Sequence, residues 1–327
     1  MPRCLRHHRA RVPPNPESDL SATSLRLKKS RSTLGAAASQ QEIAILSVTP
    51  ALYLKFQRLI HQESGIWLGD SRAALLCSRL SRRLRELKMS SLDEYYDLVM
   101  DPGQQEERIA MIDAITTNET RFFRDPRHFE LLEARAIPRW RAEAQEGLRP
   151  KKIRLWSAGC SSGEEPYSLA MLFARHLPAE QNWDVLILAT DLSTRMLAHA
   201  RTGTYNISKA IDIPQPLLKD YMLRGIGKQS GQMKVTPQIQ GMVDFQKLNL
   251  NQDSFPQNDL FDAILCRNVL IYFDAPSRQA TLERLLRCLA RNGILFVGQA
   301  ENLSSFTPRL RSLVPAAYAR DGEHSGF

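Results

Sequence analysis

The stretch Ser157-Ala158-Gly159-Cys160-Ser161-Ser162-Gly163-Glu164-Glu165-Pro166 offers the first chemistry. Its small residues allow a backbone turn to approach a ligand closely. It is neither G-x-G-x-x-G nor a Walker sequence, which argues against a dinucleotide or a triphosphate. The two acids opening the next segment repel phosphates, although a helix N-terminus attracts them. A ligand with little negative charge fits better. Asp191 stands 32 residues after Gly159, behind the apolar run 185–189. An acid there accepts hydrogen bonds from ribose hydroxyls; its alternative duty is to cap the next helix. Asn249, in Lys247-Leu248-Asn249-Leu250, and Asn268, in Arg267-Asn268-Val269, complete the set. Each asparagine alone is also an ordinary turn residue.

Strands and helices must hold these residues. Residues 153–156, 185–189, 261–266 and 294–297 are mostly apolar, strand-length runs, and helix-forming segments lie between them. Alternation of this kind predicts an open, mostly parallel α/β sheet, in which ligands bind beyond the carboxyl ends of the strands. Glu165, Ser193 and Asp274-Ala275-Pro276 mark helix starts, and Asn292-Gly293 marks a helix end. Residues 203–243 break the rhythm, with Gly225, Gly227 and Gly231 between short β-prone runs, and predict an inserted antiparallel hairpin subdomain. Upstream the pattern is helical. Thr49-Pro50 starts one helix and Asp125-Pro126 another. Leu75, Leu76, Leu80, Leu84 and Leu87 form the expected buried side of a helix over 71–88, and Ser91–Glu94 is a capping box. A fourth helix is expected over 104–115.

Together the strand-end residues describe a cleft for an adenosyl group without phosphates, which points to S-adenosylmethionine. Four stretches carry a family resemblance: Thr116-Thr117-Asn118-Glu119-Thr120-Arg121-Phe122-Phe123-Arg124, residues 156–168, Ala189-Thr190-Asp191, and residues 261–273. In that order, over about residues 47–320, the sequence resembles the CheR-type chemoreceptor glutamate O-methyltransferases. The resemblance implies a small N-terminal helical bundle over 45–120. It implies a Rossmann-like, S-adenosylmethionine-dependent methyltransferase domain over 121–322, with the β-subdomain inserted near 203–243. It also implies roles. Asn118, Thr120 and Arg124 would lie over the methionine end of the cofactor. Ala158 and Glu164 would belong to the first turn, with Glu164 near the cationic end. Asp191 would hold the ribose, Asn249 and Leu250 would flank the adenine, and Asn268 and Val269 would line the cleft. Arg124 and Tyr272 would face the substrate carboxylate. Starting and packing a helix is the alternative duty of Glu165, Pro166 and Tyr167, and the expected one for Pro166. Phe122, Phe123 and His128 are expected to pack rather than act. Near Gly298-Gln299-Ala300-Glu301-Asn302 the sequence departs from the family pattern, and Gln299 receives no role.

The 327 residues carry a formal net charge of +9. Residues 1–41 hold eight basic side chains and two acids, a surplus of six; residues 72–88 hold six basic side chains and one acid, a surplus of five. The rest of the chain is therefore slightly acidic, unlike a general nucleic-acid binder. Residues 1–44, rich in serine and proline, are expected to be a disordered basic tail; a nucleic-acid or membrane arm and a start codon placed too far upstream are the other accounts. The tail has no apolar core of a signal peptide. Arg79, Arg82, Arg83 and Arg85 are candidates to hold an acidic receptor surface, while Arg72 and Lys88 are expected to be solvated. Five scattered cysteines predict neither disulfides nor a metal site. The expected protein is a cytoplasmic monomer acting on chemoreceptors. A receptor C-terminal peptide docking on the β-subdomain would fit some family members. A nucleic-acid methyltransferase is the enzyme alternative, but the Asn/Asp-Pro-Pro-aromatic motif and a Pro-Cys nucleophile are both missing. A non-catalytic adaptor that binds the cofactor is the third reading.

Overall fold

Thr49 and Pro50 begin the first helix as their types dictate. Thr49 Oγ1 accepts from Leu52 N at 3.2 Å, and Pro50 takes the first helical position, where its missing N–H costs nothing. The computed structural model describes residues 48–69, 72–251, 255, 260–301, 303 and 310–320. The expected basic tail, 1–44, lies outside them. Four helices, α1 (Pro50–Ser64), α2 (Ala73–Leu87), α3 (Leu92–Met100) and α4 (Gln105–Ile115), close around Phe56, Leu80, Tyr95 and Met111. Ser91 caps α3 by accepting from Glu94 N at 3.2 Å, while the Glu94 carboxylate accepts from Ser90 N at 3.3 Å. On α2 the buried stripe is Leu76, Leu80 and Leu84 only. The strict four-residue spacing makes it narrow, so Leu75 and Leu87 stand 36% and 37% exposed instead of buried.

Helices α5 (Pro126–Leu131) and α6 (Ile137–Gln145), joined by a π-helical turn, lead to the sheet. Asp125 precedes Pro126 but does not cap α5: its φ is 56° and its carboxylate is drawn to Arg267. The chain then runs β1 (Lys152–Ala158), α7 (Glu164–His176), β2 (Asp184–Asp191) and α8 (Thr194–Thr202), with Ser193 capping α8. The insertion follows as β3 (Thr204–Asn206), α9 (Gln215–Tyr221), β4 (Met222–Arg224), β5 (Gln232–Val235) and α10 (Pro237–Gln240). It is a three-stranded antiparallel sheet in the order β3-β5-β4, one strand more than a hairpin. The main sheet resumes with β6 (Val243–Lys247), β7 (Phe261–Cys266), α11 (Ala275–Cys288), β8 (Leu289–Val297), β9 (Leu310–Val314) and β10 (Ala317–Arg320). Asn292-Gly293 does not end α11. The helix stops at Cys288, and the pair falls inside β8, where pairing with β7 jumps from Phe261↔Leu289 to Ala263↔Ile294.

The main sheet has the order β6-β2-β1-β7-β8-β10-β9, parallel from β6 to β8 and antiparallel around β10. The expected α/β class, helical bundle and inserted antiparallel element are all present. Apolar layers cover both faces, one containing Trp140, Phe173 and Phe296 and the other Trp156, Ile264 and Leu295. Burial on both faces explains why the central strands read as continuous apolar runs. Chain order reverses between β1 and β7, so a crevice opens at their carboxyl ends.

His128 packs into this core, as expected, with its ring 5.0 Å from that of Phe296 and its Nε2 donating to the Pro315 carbonyl at 3.3 Å. Burial, reinforced by the nearby Arg267 charge, pushes its pKa down to about 4 from 6.5. Between those values the unfolded chain takes up a proton that the folded protein refuses, so stability is lost as pH falls through this window. The loss reaches about 3 kcal/mol. Urea unfolding of His128→Phe at pH 7 and pH 4.5 should show a flatter acid decline than the parent; an identical decline would exonerate His128.

Candidate active site

A cavity lies where the helical layer meets the carboxyl ends of the strands. Its floor is set by β1 and β2. Gly159 N and Cys160 N both donate to the Thr190 carbonyl, at 2.8 and 2.9 Å. Gly159 has φ +87°, and a Cβ there would fall 2.4 Å from Val269 Cγ2. Only glycine lets the turn after β7 lie across the turn after β1. Asp191 is held by one donor from each neighbouring turn: Ser161 N to Oδ2 at 2.7 Å and Ser193 N to Oδ1 at 2.8 Å. Burial raises its pKa against these bonds, and Asp113 adds to the rise. A carboxylate offers about four acceptor positions, so acceptor capacity remains for a ligand.

Arg267 organises the opposite wall. Its side chain, 2% exposed, pairs with Glu165 at 3.0 Å and Asp125 at 2.5 Å and donates to the Arg124 carbonyl. Ser157 Oγ also donates to Glu165, at 2.6 Å. Burial pushes Glu165 up in spite of Arg267, whereas at Asp125 the guanidinium outweighs burial and holds the carboxyl below its ordinary value. Arg124, itself on the wall, donates to the Glu119 carbonyl at 3.1 Å. Phe123, Asp125, Ser161 and Asn268, all at or beside this cavity, have positive φ without being glycine. Such strain persists only where the surroundings over-determine it.

Of the residues singled out in the sequence, Asn118, Thr120, Arg124, Asp191, Asn249, Leu250, Asn268, Val269 and Tyr272 all line this one cavity. Ala158 and Glu164 do not. Ala158 is 1% exposed and packs in the core, and Gly159 takes the wall position. Glu164 is fully buried on the other side, paired with Lys209 of the insertion and accepting from Ser162 Oγ at 2.6 Å. Glu165 faces the cavity instead, because consecutive helical residues point about 100° apart. Asn249 is partly occupied: its Nδ2 donates to the Glu63 carbonyl at 2.7 Å and its Oδ1 accepts from Asn251 N at 2.9 Å. This ties α1 to the loop after β6.

The arginines of α2 separate into different roles. Arg83 is a structural pair rather than a free cation, bound to Glu86 and to Glu107, which also accepts from Tyr95 at 2.8 Å. Arg79 holds the cavity rim, donating to the Thr116 carbonyl at 3.3 Å and Thr117 Oγ1 at 3.2 Å. Arg82 pairs with Glu86 at 2.8 Å, and both Arg82 and Arg85 are exposed. Arg72 is exposed, as expected, and also lines the cavity with Leu75. Sequence reasoning gave no role to Arg267, Ser161 or Glu301. A cation closing a buried strand was the available signal for Arg267, since it demands a counter-charge.

The donor set suits an adenosyl ligand bearing a cationic centre. Among the described residues Asn268 Oδ1 is buried without a partner, an acceptor that a ligand N–H or O–H would satisfy. Asp191 and Glu165 supply negative potential, and Arg72 and Arg124 supply positive potential for a carboxylate. Residues 51–116 match the family model "CheR methyltransferase, all-alpha domain", and residues 118–318 match "CheR methyltransferase, SAM binding domain". The chain belongs to the CheR methyltransferase family. It is 38% identical over 261 residues to chemotaxis protein methyltransferase 2 of Pseudomonas aeruginosa, covering 80% of this chain and 89% of the relative. It is 36% identical over 275 residues to the chemotaxis protein methyltransferase of Escherichia coli, covering 84% and 92%. A probable chemotaxis protein methyltransferase of Rhizobium etli is 36% identical over 247 residues, covering 75% and 90%. As a CheR methyltransferase, this chain is an enzyme and S-adenosylmethionine is its cofactor.

Proposed function

We propose that this CheR methyltransferase modifies specific glutamate side chains of chemoreceptors, giving glutamate 5-O-methyl ester and S-adenosylhomocysteine, and does so as a monomer in the cytoplasm. The observation that carries the reading is the wall on which Arg124 and Tyr272 share one cavity with Asp191. A glutamate, with pKa about 4.3, is already ionised at neutral pH and needs no base to become a nucleophile. When bound, the cofactor supplies an electrophilic methyl group on a sulfonium leaving group. The protein's residues then have to bind, orient and exclude water. Asp191 receives the ribose hydroxyls. Asn249 and Leu250 flank the adenine, and Asn268 and Val269 close the cleft over it. Asn118, Thr120 and Arg124 reach the methionine end, where Glu165, rather than Glu164, faces the cationic centre.

Arg124 and Tyr272 orient the incoming carboxylate. A guanidinium that held it too tightly would stabilise the ground state more than the transition state. Arg124 is restrained from this by its bond to the Glu119 carbonyl, and a phenol such as Tyr272 orients an oxygen at less cost. Among the described residues the Tyr272 hydroxyl has no hydrogen-bond partner, which leaves it free for this task. Arg82, Arg85 and Arg72 attract the acidic helix that carries the glutamate. The receptor's C-terminal peptide adds to the edge strand β4, beside the exposed Leu223 and Ile226. No helix among the described residues is long and apolar enough to cross a membrane.

Incubation with methyl-labelled cofactor and receptor-bearing membranes, followed by mild alkali, tests the reading. Release of volatile methanol is the expected result, since only a carboxyl ester yields it. Alkali-stable label would transfer the activity to nitrogen or nucleic acid, and no label would leave a receptor adaptor.

A further inference from the structure

The stretch Gly298-Gln299-Ala300-Glu301 follows β8 and has no part in the roles above. Glu301 is nonetheless 5% exposed, and its carboxylate gathers three backbone donors. Oε2 accepts from Asn268 N at 2.9 Å and from Gly298 N, and Oε1 accepts from Ile271 N at 3.1 Å. Asn268 and Ile271 belong to the turn that leaves β7. That turn is too short to satisfy its own donors: it contains one 3-10 turn, Leu270–Tyr272, closed by Tyr272 N on the Val269 carbonyl at 3.1 Å. Asn268 begins it at φ +60°, a conformation that an L-residue adopts at a cost. The shape of residues 268–272 is therefore set at its Asn268 and Ile271 N–H groups by a side chain from another strand end, 33 residues from Asn268, while Trp67 N donates to the Tyr272 carbonyl at 2.7 Å.

The fit leaves no slack. A Cβ on Gly298 would fall 2.7 Å from Asn268 Nδ2, 2.9 Å from Asn268 N and 2.9 Å from Glu301 Oε2. The same turn carries Asn268, Val269 and Tyr272 into the cavity, and Val269 is the residue that presses over Gly159. An ordinary buried acid would be neutralised by a cation; among the described residues Glu301 is matched by backbone N–H groups alone. A carboxylate suits three converging donors because both oxygens accept. A glutamine has one oxygen and must turn an N–H toward a donor.

We infer that Glu301 is a positioning residue for methyl transfer, fixing residues 268–272 so that Asn268 and Val269 meet the cofactor and Tyr272 meets the substrate. The Tyr272 half rests on the proposed function; the Asn268 and Val269 half does not need a receptor. In Glu301→Gln, kcat for receptor methylation should fall ~30-fold and the Kd for S-adenosylhomocysteine should rise ~5-fold, with the receptor KM within ~2-fold of the parent. Tyr272→Phe added to Glu301→Gln should then lower kcat less than it does alone, because the two act through one turn.

Parental kcat and parental Kd in Glu301→Gln, measured well below its melting temperature, would overturn the inference. So would a reduced melting temperature with both kinetic values unchanged, since that is what a merely structural acid gives. A weakened Kd in Glu301→Gln alongside an inert Tyr272→Phe would remove Tyr272 from the mechanism and uphold Glu301. A crippled Tyr272→Phe alongside a parental Glu301→Gln would remove Glu301 alone. Should Glu301→Gln fail to fold, Glu301→Asp keeps the charge but is one methylene short, and the same two readouts decide in the same directions.

Discussion

Arg267→Met should lose about 3–5 kcal/mol of stability, because a buried ion pair broken on one side leaves its partners charged and unmatched. Two partners are affected. Glu165 keeps only the Ser157 hydroxyl, and Asp125 loses the cation that holds its carboxyl below the ordinary range. The melting temperature should fall by roughly 6–15 °C for a chain of this size. The pH signature distinguishes this loss from a simple cavity. Without the guanidinium, Glu165 titrates still higher in the folded state than in the unfolded one. The variant is then relatively favoured below the unfolded pKa, and that advantage disappears as pH rises through the folded pKa. Its deficit against the parent should therefore shrink at pH 4.5 and be fullest at pH 8. Glu165→Gln in the same chain should recover part of the loss. A deficit independent of pH in urea unfolding would mean that Arg267 contributes packing rather than charge.

Asp191→Ala should raise the Kd for S-adenosylhomocysteine by ~100-fold, the loss expected when a buried charged acceptor of two hydroxyls is removed. On the proposed role, direct bonds to the ribose would account for one share. Ser161 N and Ser193 N, both anchored on this carboxylate, account for another, because their turns form the floor of the cavity. Asp191→Asn separates the shares. It keeps one oxygen for one of the two turns, loses the charge, and should fall between parent and alanine. Titration calorimetry reads all three. Unchanged affinity in Asp191→Ala would return Asp191 to the other role its position allows, that of joining the first and second turns.

Local signals in the sequence survived where nothing distant competed with them. Thr49, Ser91, Ser193 and Asp274 each accept the helix N–H that their position calls for. Asp125 has the same appearance, yet it binds Arg267, 142 residues away, because a buried cation attracts a carboxylate more strongly than a helix end does. Asn292-Gly293 has the chemistry of a helix stop, and strand pairing with β7 absorbed it as a bulge. The small residues and strand-end polar groups disclosed the cleft, but not its phase. Which of Glu164 and Glu165 faces inward depends on where α7 starts, and a one-residue difference rotates the answer. Arg83 and Glu107 lie on different helices, so the loss of a free cation on α2 was invisible along the chain. Glu301 was hidden for a similar reason. Its partners are backbone groups, which leave no trace in residue types.

The roof of the cavity and its floor come from different layers of the chain. Residues 115–120 and the start of α2 cover what β1, β2 and β7 support, and Asp113 of α4 accepts from Thr194 Oγ1 at 3.1 Å, at the start of α8. A cut at residue 121 would leave the sheet whole and the proposed adenosyl pocket open on one side. Cofactor bound in that proposed pocket would then act as a clasp. Whatever free energy its binding releases also opposes separation of the helical bundle from the sheet, in proportion to the logarithm of its concentration above Kd.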